Sequence, residues 1–360
     1  MRTCGWKAVQ YLLGFTVTLI SVISYNSLPR FDFKVLFGNN MADDHMENYF
    51  TGSLEKWMEG LPQMVKDNTE LKDLVIPGSH DSATFDLDPI GGKADDFSSY
   101  MEIPYDKIQK WFKTQNLSFT EQLKSGIRYF DLRIIKHRET GEIHFVHGLY
   151  SRSIVTDYLK DIRNFLNKNQ KEIVILDFNH IYEMDNDDHN ILCTEIETIF
   201  CGMMLNTRKC AESDLSPSKM TLSKLWEMNG RVLVFYGNSR ACTKTEHIWP
   251  RHELEILWPY TPRRELVVTN LKHAYGELDR KDIMVVWHGI LTPHSDDKFL
   301  KRTEKYKDLH DYVSSTTKDI VTWISSQTEV NLNVVCADFI EENNFTKHVI
   351  AVNYKAPFPL

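Results

Sequence analysis

The chain has 360 residues, 42% of them hydrophobic and 12% aromatic, with a formal net charge of −8. This composition excludes extensive disorder, and the negative balance points away from nucleic acid as a partner and from non-specific attraction to anionic membranes. The length accommodates two or three average domains or a single α/β barrel with insertions.

Residues 1–30 are set apart by their charge. Arg2 and Lys7 precede the run AVQYLLGFTVTLISVIS, and no charge falls between Ala8 and Pro29. Such a run serves as a membrane anchor or as the apolar core of a signal peptide, with Val22 and Ser24 small enough to precede a cleavage point. A buried N-terminal helix is the competing reading, and the lack of a polar face counts against it. Arg2 and Lys7 balance Arg30 and Lys34 across the run, so charge gives no orientation. The expectation is membrane association or entry into the secretory pathway through this segment, with a cytoplasmic location as the alternative. Residues 31–53 read as a polar connector, and a single catalytic domain is expected over 54–360.

From there short β-rich runs alternate with helical patterns. The expected strands are DLVIPG (73–78), IRYFDLRII (127–135), EIHFVHG (142–148), EIVILDF (172–178), RVLVFYG (231–237), LEILWPY (254–260), IMVVWHGIL (283–291) and VVCADFI (334–340). Several are almost continuously apolar, as parallel strands buried on both faces are. Val155, Leu159, Ile162 and Leu166 repeat at helical spacing. A second helix is expected after Asp185 as N-cap, with Ile191, Leu192, Ile196, Ile199 and Phe200 on its apolar face, and a third over about 309–325. Roughly eight strands alternating with helices predict an irregular (β/α)8 TIM-type barrel.

In such a barrel the chemistry sits at the C-terminal ends of the strands. The first expected strand runs into His80-Asp81. The second carries Asp131 and Arg133, two apart and so on one face. The third ends at His147, the fourth carries Asp177 and Asn179 on one face, and the last carries Asp338. Two histidines and an arginine suit phosphodiester cleavage by an internal hydroxyl: one histidine takes the attacking proton, the other protonates the leaving oxygen, and the cation stabilises the phosphoryl charge. Each histidine needs a partner on its second ring nitrogen, and Asp81 and Asp338 are available. Each feature alone also has an ordinary reading: a loop His-Asp pair, a buried Asp–Arg ion pair, a packed histidine. His180 and the DNDDH run (185–189) offer metal-ligand types, but acidic residues at a helix start are the commoner cause. What resists the ordinary readings is the recurrence of these residues on successive strand ends.

At these positions the sequence resembles phosphatidylinositol-specific phospholipase C, and most of all the small eukaryotic X-domain-containing proteins of that superfamily. The stretches that carry the resemblance are LVIPGSHDSATF (74–85), TQNLSFTEQLKSGIRYFDLRI (114–134), IHFVHGLY (143–150), EIVILDFNHIYEMD (172–185), LWEMNGRVLVFY (225–236), ILTP (290–293) and VVCADFIEENNFTKHVIAVN (334–353). The resemblance covers about 54–354 and implies an irregular (β/α)8 barrel that cleaves phosphatidylinositol-like lipids to diacylglycerol and an inositol (cyclic) phosphate. By it, His80 is the general base toward the inositol 2-hydroxyl and His147 the general acid. Arg133 holds the phosphate, Asp81 supports His147, Asp338 orients His80, and Asp131, Asn179 and Tyr236 fall at substrate-binding positions. Calcium-dependent members follow the histidine with asparagine and place carboxylate ligands on the next strand. Here Asp81 follows, Arg133 occupies the cation's place, and charge repulsion between a guanidinium and calcium on one phosphate predicts calcium-independent chemistry with no cofactor. Bacterial members carry a lysine where Asn179 falls, and their inositol-binding arginine has no clear counterpart near Tyr236-Gly237-Asn238. The expected partner is therefore a membrane inositol phospholipid. The alternatives are an inositol-lipid-binding protein without turnover and a barrel phosphodiesterase acting on another diester.

The six cysteines show no zinc spacing. Cys336 reads as a core thiol. Cys193, Cys201, Cys210 and Cys242 are candidates for pairing in the secretory pathway, with the connectivity left open. NLS (116–118) and NFT (344–346) are glycosylation-type motifs.

Overall fold

The computed structural model describes residues 50–355, apart from 90, 95, 97–103, 214, 279–282, 293–304 and 327–331. The expected N-terminal anchor or signal segment lies outside the described residues. Among those described, no helix is long and apolar enough to cross a membrane.

Ten strands form one curled sheet: β1 (Ile76–Ser79), β2 (Tyr129–Lys136), β3 (Ile143–His147), β4 (Leu149–Ile154), β5 (Val174–Tyr182), β6 (Val232–Tyr236), β7 (Ile248–Pro250), β8 (Leu254–Leu257), β9 (Met284–His288) and β10 (Val334–Ala337). The hydrogen-bonded path runs β7-β6-β5-β2-β1-β10-β9-β8, and every pairing along it is parallel. The two ends of the path belong to one stretch of chain. β7 pairs with β6 and β8 pairs with β9, with only the single turn Arg251–Glu253 between them. Three residues span at most about 10 Å, so the barrel is closed by the chain itself and not by a ladder between β7 and β8. Pro250, at the break, has no N–H to offer one.

Side chains divide by strand alternation. Ile76, Tyr129, Ile175, Leu233, Phe235, Val286, Val334 and Cys336 belong to one buried cluster, which fills the barrel and is capped from below by Trp57, Met58 and Leu61. Their neighbours Phe130, Leu132, Val174, Leu176, Val234 and Trp287 face the helices in a second cluster. The interior leaves no spare room beneath the mouth: a Cβ at Gly78 would stand 2.6 Å from Cys336 Sγ and 2.9 Å from a Tyr129 ring carbon.

The helices follow the pattern read from sequence, with one correction. In Val155–Lys168, Val155, Leu159, Ile162 and Leu166 are all buried. At about 1.5–3 kcal/mol for each fully buried aliphatic side chain, that face fixes the helix more firmly than intrinsic propensity does. Asp185 caps Asn186–Ile199 and accepts from the backbone N–H groups of Asp187 and Asp188. Ile191 departs from the expected apolar face and is 55% exposed. The third helix spans Leu309–Ser326. A disulfide joins Cys193 to Cys242, tying helix Asn186–Ile199 to the segment after β6, while Cys210 and Cys336 are buried thiols.

Two strand assignments need correction. The 142–148 run is not a parallel barrel strand. β3 pairs antiparallel with β2, opposite Ile134–Lys136, and turns at Gly148 into β4. Gly148 has φ +71°, and a Cβ there would come within 2.9 Å of the Phe112 ring, so a side chain is excluded on both counts. The 254–260 run is a strand only over Leu254–Leu257, and the short β7 before it was not anticipated.

Candidate active site

The mouth is built on β1. His80 follows its last residue and stands level with Asp338, because Ser79 is in register with Ala337. Neighbouring residues in an extended chain point to opposite faces, yet His80 and Asp81 both face the mouth. Asp81 achieves this by adopting a left-handed backbone, φ 42°, a conformation that aspartate tolerates better than most side chains. Its N–H donates to Asp131 Oδ2 at 3.0 Å, which locks the turn to β2.

His80 Nδ1 donates to Asp338 Oδ1 at 2.7 Å. Its Nε2 lies 3.2 Å from Asp81 Oδ2 and 3.9 Å from Asp131 Oδ2. Burial disfavours the imidazolium, but Asp81 and Asp338, with help from Asp131, outweigh that and push the His80 pKa up to about 9. Two buried residues fix the backbone beneath it. Gln115 Nε2 donates to the carbonyls of His80 and Ala337 at 3.0 and 2.9 Å, and Thr114 Oγ1 donates to the carbonyls of His80 and Asp81.

Arg133 Nε stands 2.5 Å from Asp81 Oδ1, and its Nη2 is 3.4 Å from His80 Nε2. Asp131 is also in the mouth. Burial opposes its ionisation, but Arg133 and His80 prevail and hold it well below the usual carboxylate range. Asn179 reaches Asp131 because β5 is bulged. Leu132 pairs with Phe178 and Arg133 with His180, so Asn179 is the extra residue, and its Nδ2 donates to Asp131 Oδ1.

His147 arrives by a different route from the expected one. The antiparallel return of β3, which sets Phe145 opposite Ile134, carries it back toward the mouth. Its Nδ1 donates to the Phe112 carbonyl at 2.6 Å. A carbonyl only accepts, so this bond fixes the proton on Nδ1 and leaves Nε2 facing Asp81 Oδ2 at 3.4 Å. The group that orients His147 is thus the Phe112 carbonyl, while Asp81 faces the other ring nitrogen. Burial first, and Arg133 second, lower the His147 pKa to about 3.

One expected residue is not brought to the mouth. Tyr236 lies on the helix side of β6, one step out of phase with the interior Phe235, and its hydroxyl accepts from His189 Nδ1 at 2.9 Å, the other ring nitrogen accepting from Asn238 Nδ2. The DNDDH run also proves structural. Asp185 and Asp188 form a capping box, and Lys136 donates to Asp188.

Other residues at the mouth were not anticipated. His288 closes β9 on the interior face, its ring 5.7 Å from that of His80, and Trp258 packs on both histidines at 4.7 and 5.3 Å between ring centres. The alternation Met284, Val286, His288 could have signalled the histidine. Asp177, expected at the mouth, accepts from Arg251 Nε at 2.9 Å and from Tyr129 Oη at 2.7 Å. Asp96 accepts from the Gly148 N–H at 2.8 Å, and burial pushes its carboxyl up although His147 and Arg133 lie close by.

Curled parallel sheet, enclosing helices and this mouth together define a barrel of the phosphatidylinositol-specific phospholipase C type. The family model for the X domain of that enzyme matches residues 95–237. PI-PLC X domain-containing protein 3 of Danio rerio is 33% identical over 310 residues, covering 83% of this chain and 92% of the relative. The human protein of the same name is 32% identical, covering 84% and 94%. The chain belongs to the family of PI-PLC X domain-containing proteins. Among solved structures, the phosphatidylinositol-specific phospholipase C of Listeria monocytogenes superposes with a TM-score of 0.60 over 84% of this chain and 99% of that one, at 20% identity. A Staphylococcus aureus enzyme of that description gives 0.58 over 86% and 99%, at 18% identity. At such identities the superpositions speak for the fold alone.

Proposed function

We propose that the chain is a phosphodiesterase that cleaves membrane inositol phospholipids by transfer to an internal hydroxyl. The observation that supports this reading is the convergence of His80, His147 and Arg133 on Asp81, all within ion-pair or hydrogen-bond reach. One histidine takes the proton of the inositol 2-hydroxyl, and that oxygen attacks phosphorus. The phosphorus–glycerol oxygen bond breaks, and the other histidine protonates the departing diacylglycerol oxygen. Arg133 holds the phosphoryl oxygens through the transition state, with Asp131 and Asn179 beside the bound headgroup. Arg133 in its ion pair with Asp81 supports calcium-independent turnover. The Cys193–Cys242 disulfide supports an oxidising, secretory-side location for the barrel, with the N-terminal segment as its membrane attachment.

The two histidines rest in different protonation states: Asp81 and Asp338 hold the proton on His80, while burial and Arg133 disfavour one on His147. Which of them serves as base and which as acid is a question for experiment. The two assignments give pH–rate profiles of the same shape, so leaving-group dependence must separate them. A diester with a nitrophenol leaving group needs no acid. The histidine whose alanine variant regains turnover on that substrate is therefore the acid. The reading as a whole is tested with the full chain and phosphatidylinositol in detergent micelles. Release of a water-soluble inositol phosphate, unchanged by EGTA, is expected. Binding of the lipid without release removes the catalytic reading, and loss of activity in EGTA that calcium restores removes the calcium-independent one.

A further inference from the structure

We propose that His80, Asp131 and His288 form a binding site for a divalent transition-metal ion of the zinc class, and that its occupation stops the proton chemistry of the mouth. Among the described residues, these three each offer one ligand atom, and the atoms all lie within 4.8 Å of one another. All three residues are buried, His288 to 2% exposure.

A second observation is independent of that spacing. Nδ1 of His288 is buried with no hydrogen-bond partner among the described residues. Buried polar atoms are rarely left so, and each instance asks for a missing ligand, water or ion. His80 is arranged as metal-bound histidines usually are: Nδ1 donates to the Asp338 carboxylate, and Nε2 faces the carboxylates of Asp81 and Asp131, at 3.2 and 3.9 Å.

Charge favours a cation here. Asp81, Asp131 and Asp338 set three carboxylates around His80, against the single guanidinium of Arg133. Arg133, 3.4 Å from His80 Nε2, opposes the ion, and the three carboxylates outweigh it. Two imidazoles and one carboxylate suit zinc, cobalt or nickel, whereas calcium and magnesium prefer all-oxygen shells. The blocking effect rests on the phosphodiesterase reading, because a metal on Nε2 removes His80 from proton transfer in either role. Binding itself does not rest on it.

The full chain, stripped of metal with a chelator, is titrated with zinc chloride by calorimetry, and turnover is measured separately with the metal-free protein. One zinc ion per chain is expected, with affinity falling at least about tenfold in His288→Gln while the circular dichroism spectrum is retained. No binding by the wild type, or unchanged affinity in a folded His288→Gln, overturns the site. Should His288→Gln fail to fold, Asp131→Asn gives the same comparison. Zinc that binds without lowering turnover overturns the blocking role. Absence of turnover in the metal-free wild type removes the phosphodiesterase reading and leaves the binding result standing.

Discussion

Two arginines lie at opposite ends of the barrel, each against a buried carboxylate. Arg128, at the foot of β2, is fully buried and pairs with Glu172 at 2.8 Å. Its remaining donors reach the carbonyls of Leu123, Ile127, Leu54 and Glu55, and Glu172 also accepts from the N–H groups of Met58 and Glu59. Arg133, at the mouth, has a comparable partner in Asp81, but among the described residues both Asp81 oxygens and Arg133 Nε lack an aligned hydrogen bond, and carboxylates outnumber cations around them. A buried pair with every donor and acceptor used is an element of structure. One with lone pairs and N–H groups left over, two histidines beside it, is arranged for something that arrives later.

The contrast can be broken in order of expected effect. His80→Asn should cost about 10²–10⁴ in turnover on phosphatidylinositol with the fold intact. Arg128→Met should do the reverse, losing about 3–5 kcal/mol of stability by stranding Glu172, with turnover per folded molecule kept. Denaturant titration and lipid assay on both variants decide it, and a stable but inactive Arg128→Met would erase the distinction. The mouth should also show itself in pH dependence. The His80 pKa is raised from 6.5 to about 9 on folding, so its stabilisation is complete below pH 6.5 and is lost as pH climbs through 9. By linkage this amounts to roughly 3 kcal/mol. His147 and His288 act on the other side: both are lowered to about 3, so their contribution is present above pH 6.5 and lost as pH falls. Melting temperature should drop between pH 6.5 and 9 in the wild type and stay flatter in His80→Asn; parallel curves would contradict the arrangement. The smallest effect is expected at Tyr236→Phe, which gives up one buried hydrogen bond to His189, about 1 kcal/mol, without changing KM for the lipid. A raised KM would return Tyr236 to the substrate.

The sequence made the mouth legible where a simple period sufficed. Asp131 with Arg133, and Asp177 with Asn179, share a face as alternation requires, although Asn179 reaches Asp131 through a bulge that spacing does not reveal. Alternation also argued against Tyr236, since Phe235 beside it is interior, and there the family pattern misled. Three features were beyond a one-dimensional reading. The union of His80 and Asp81 on one side depends on a single left-handed residue. The direction of β3 depends on the tight turn between β2 and β3, closed by the His137 N–H on the Glu142 carbonyl and the Gly141 N–H on the His137 carbonyl. Trp258 and Asp96 come from loops, where no period exists to place them.

The seam at β7 and β8 has a consequence for how the barrel comes apart. Every other parallel strand is laddered on both flanks, whereas these two are each held on one side only, and three residues of chain join them. Fluctuations that loosen the sheet therefore start here and propagate in both directions around the ring. Arg251 lies within those three residues and reaches across to Asp177 on β5. Its ion pair ties the linking turn of the seam to the β5 side of the sheet, so that turn is held by a side chain where the backbone ladder is missing.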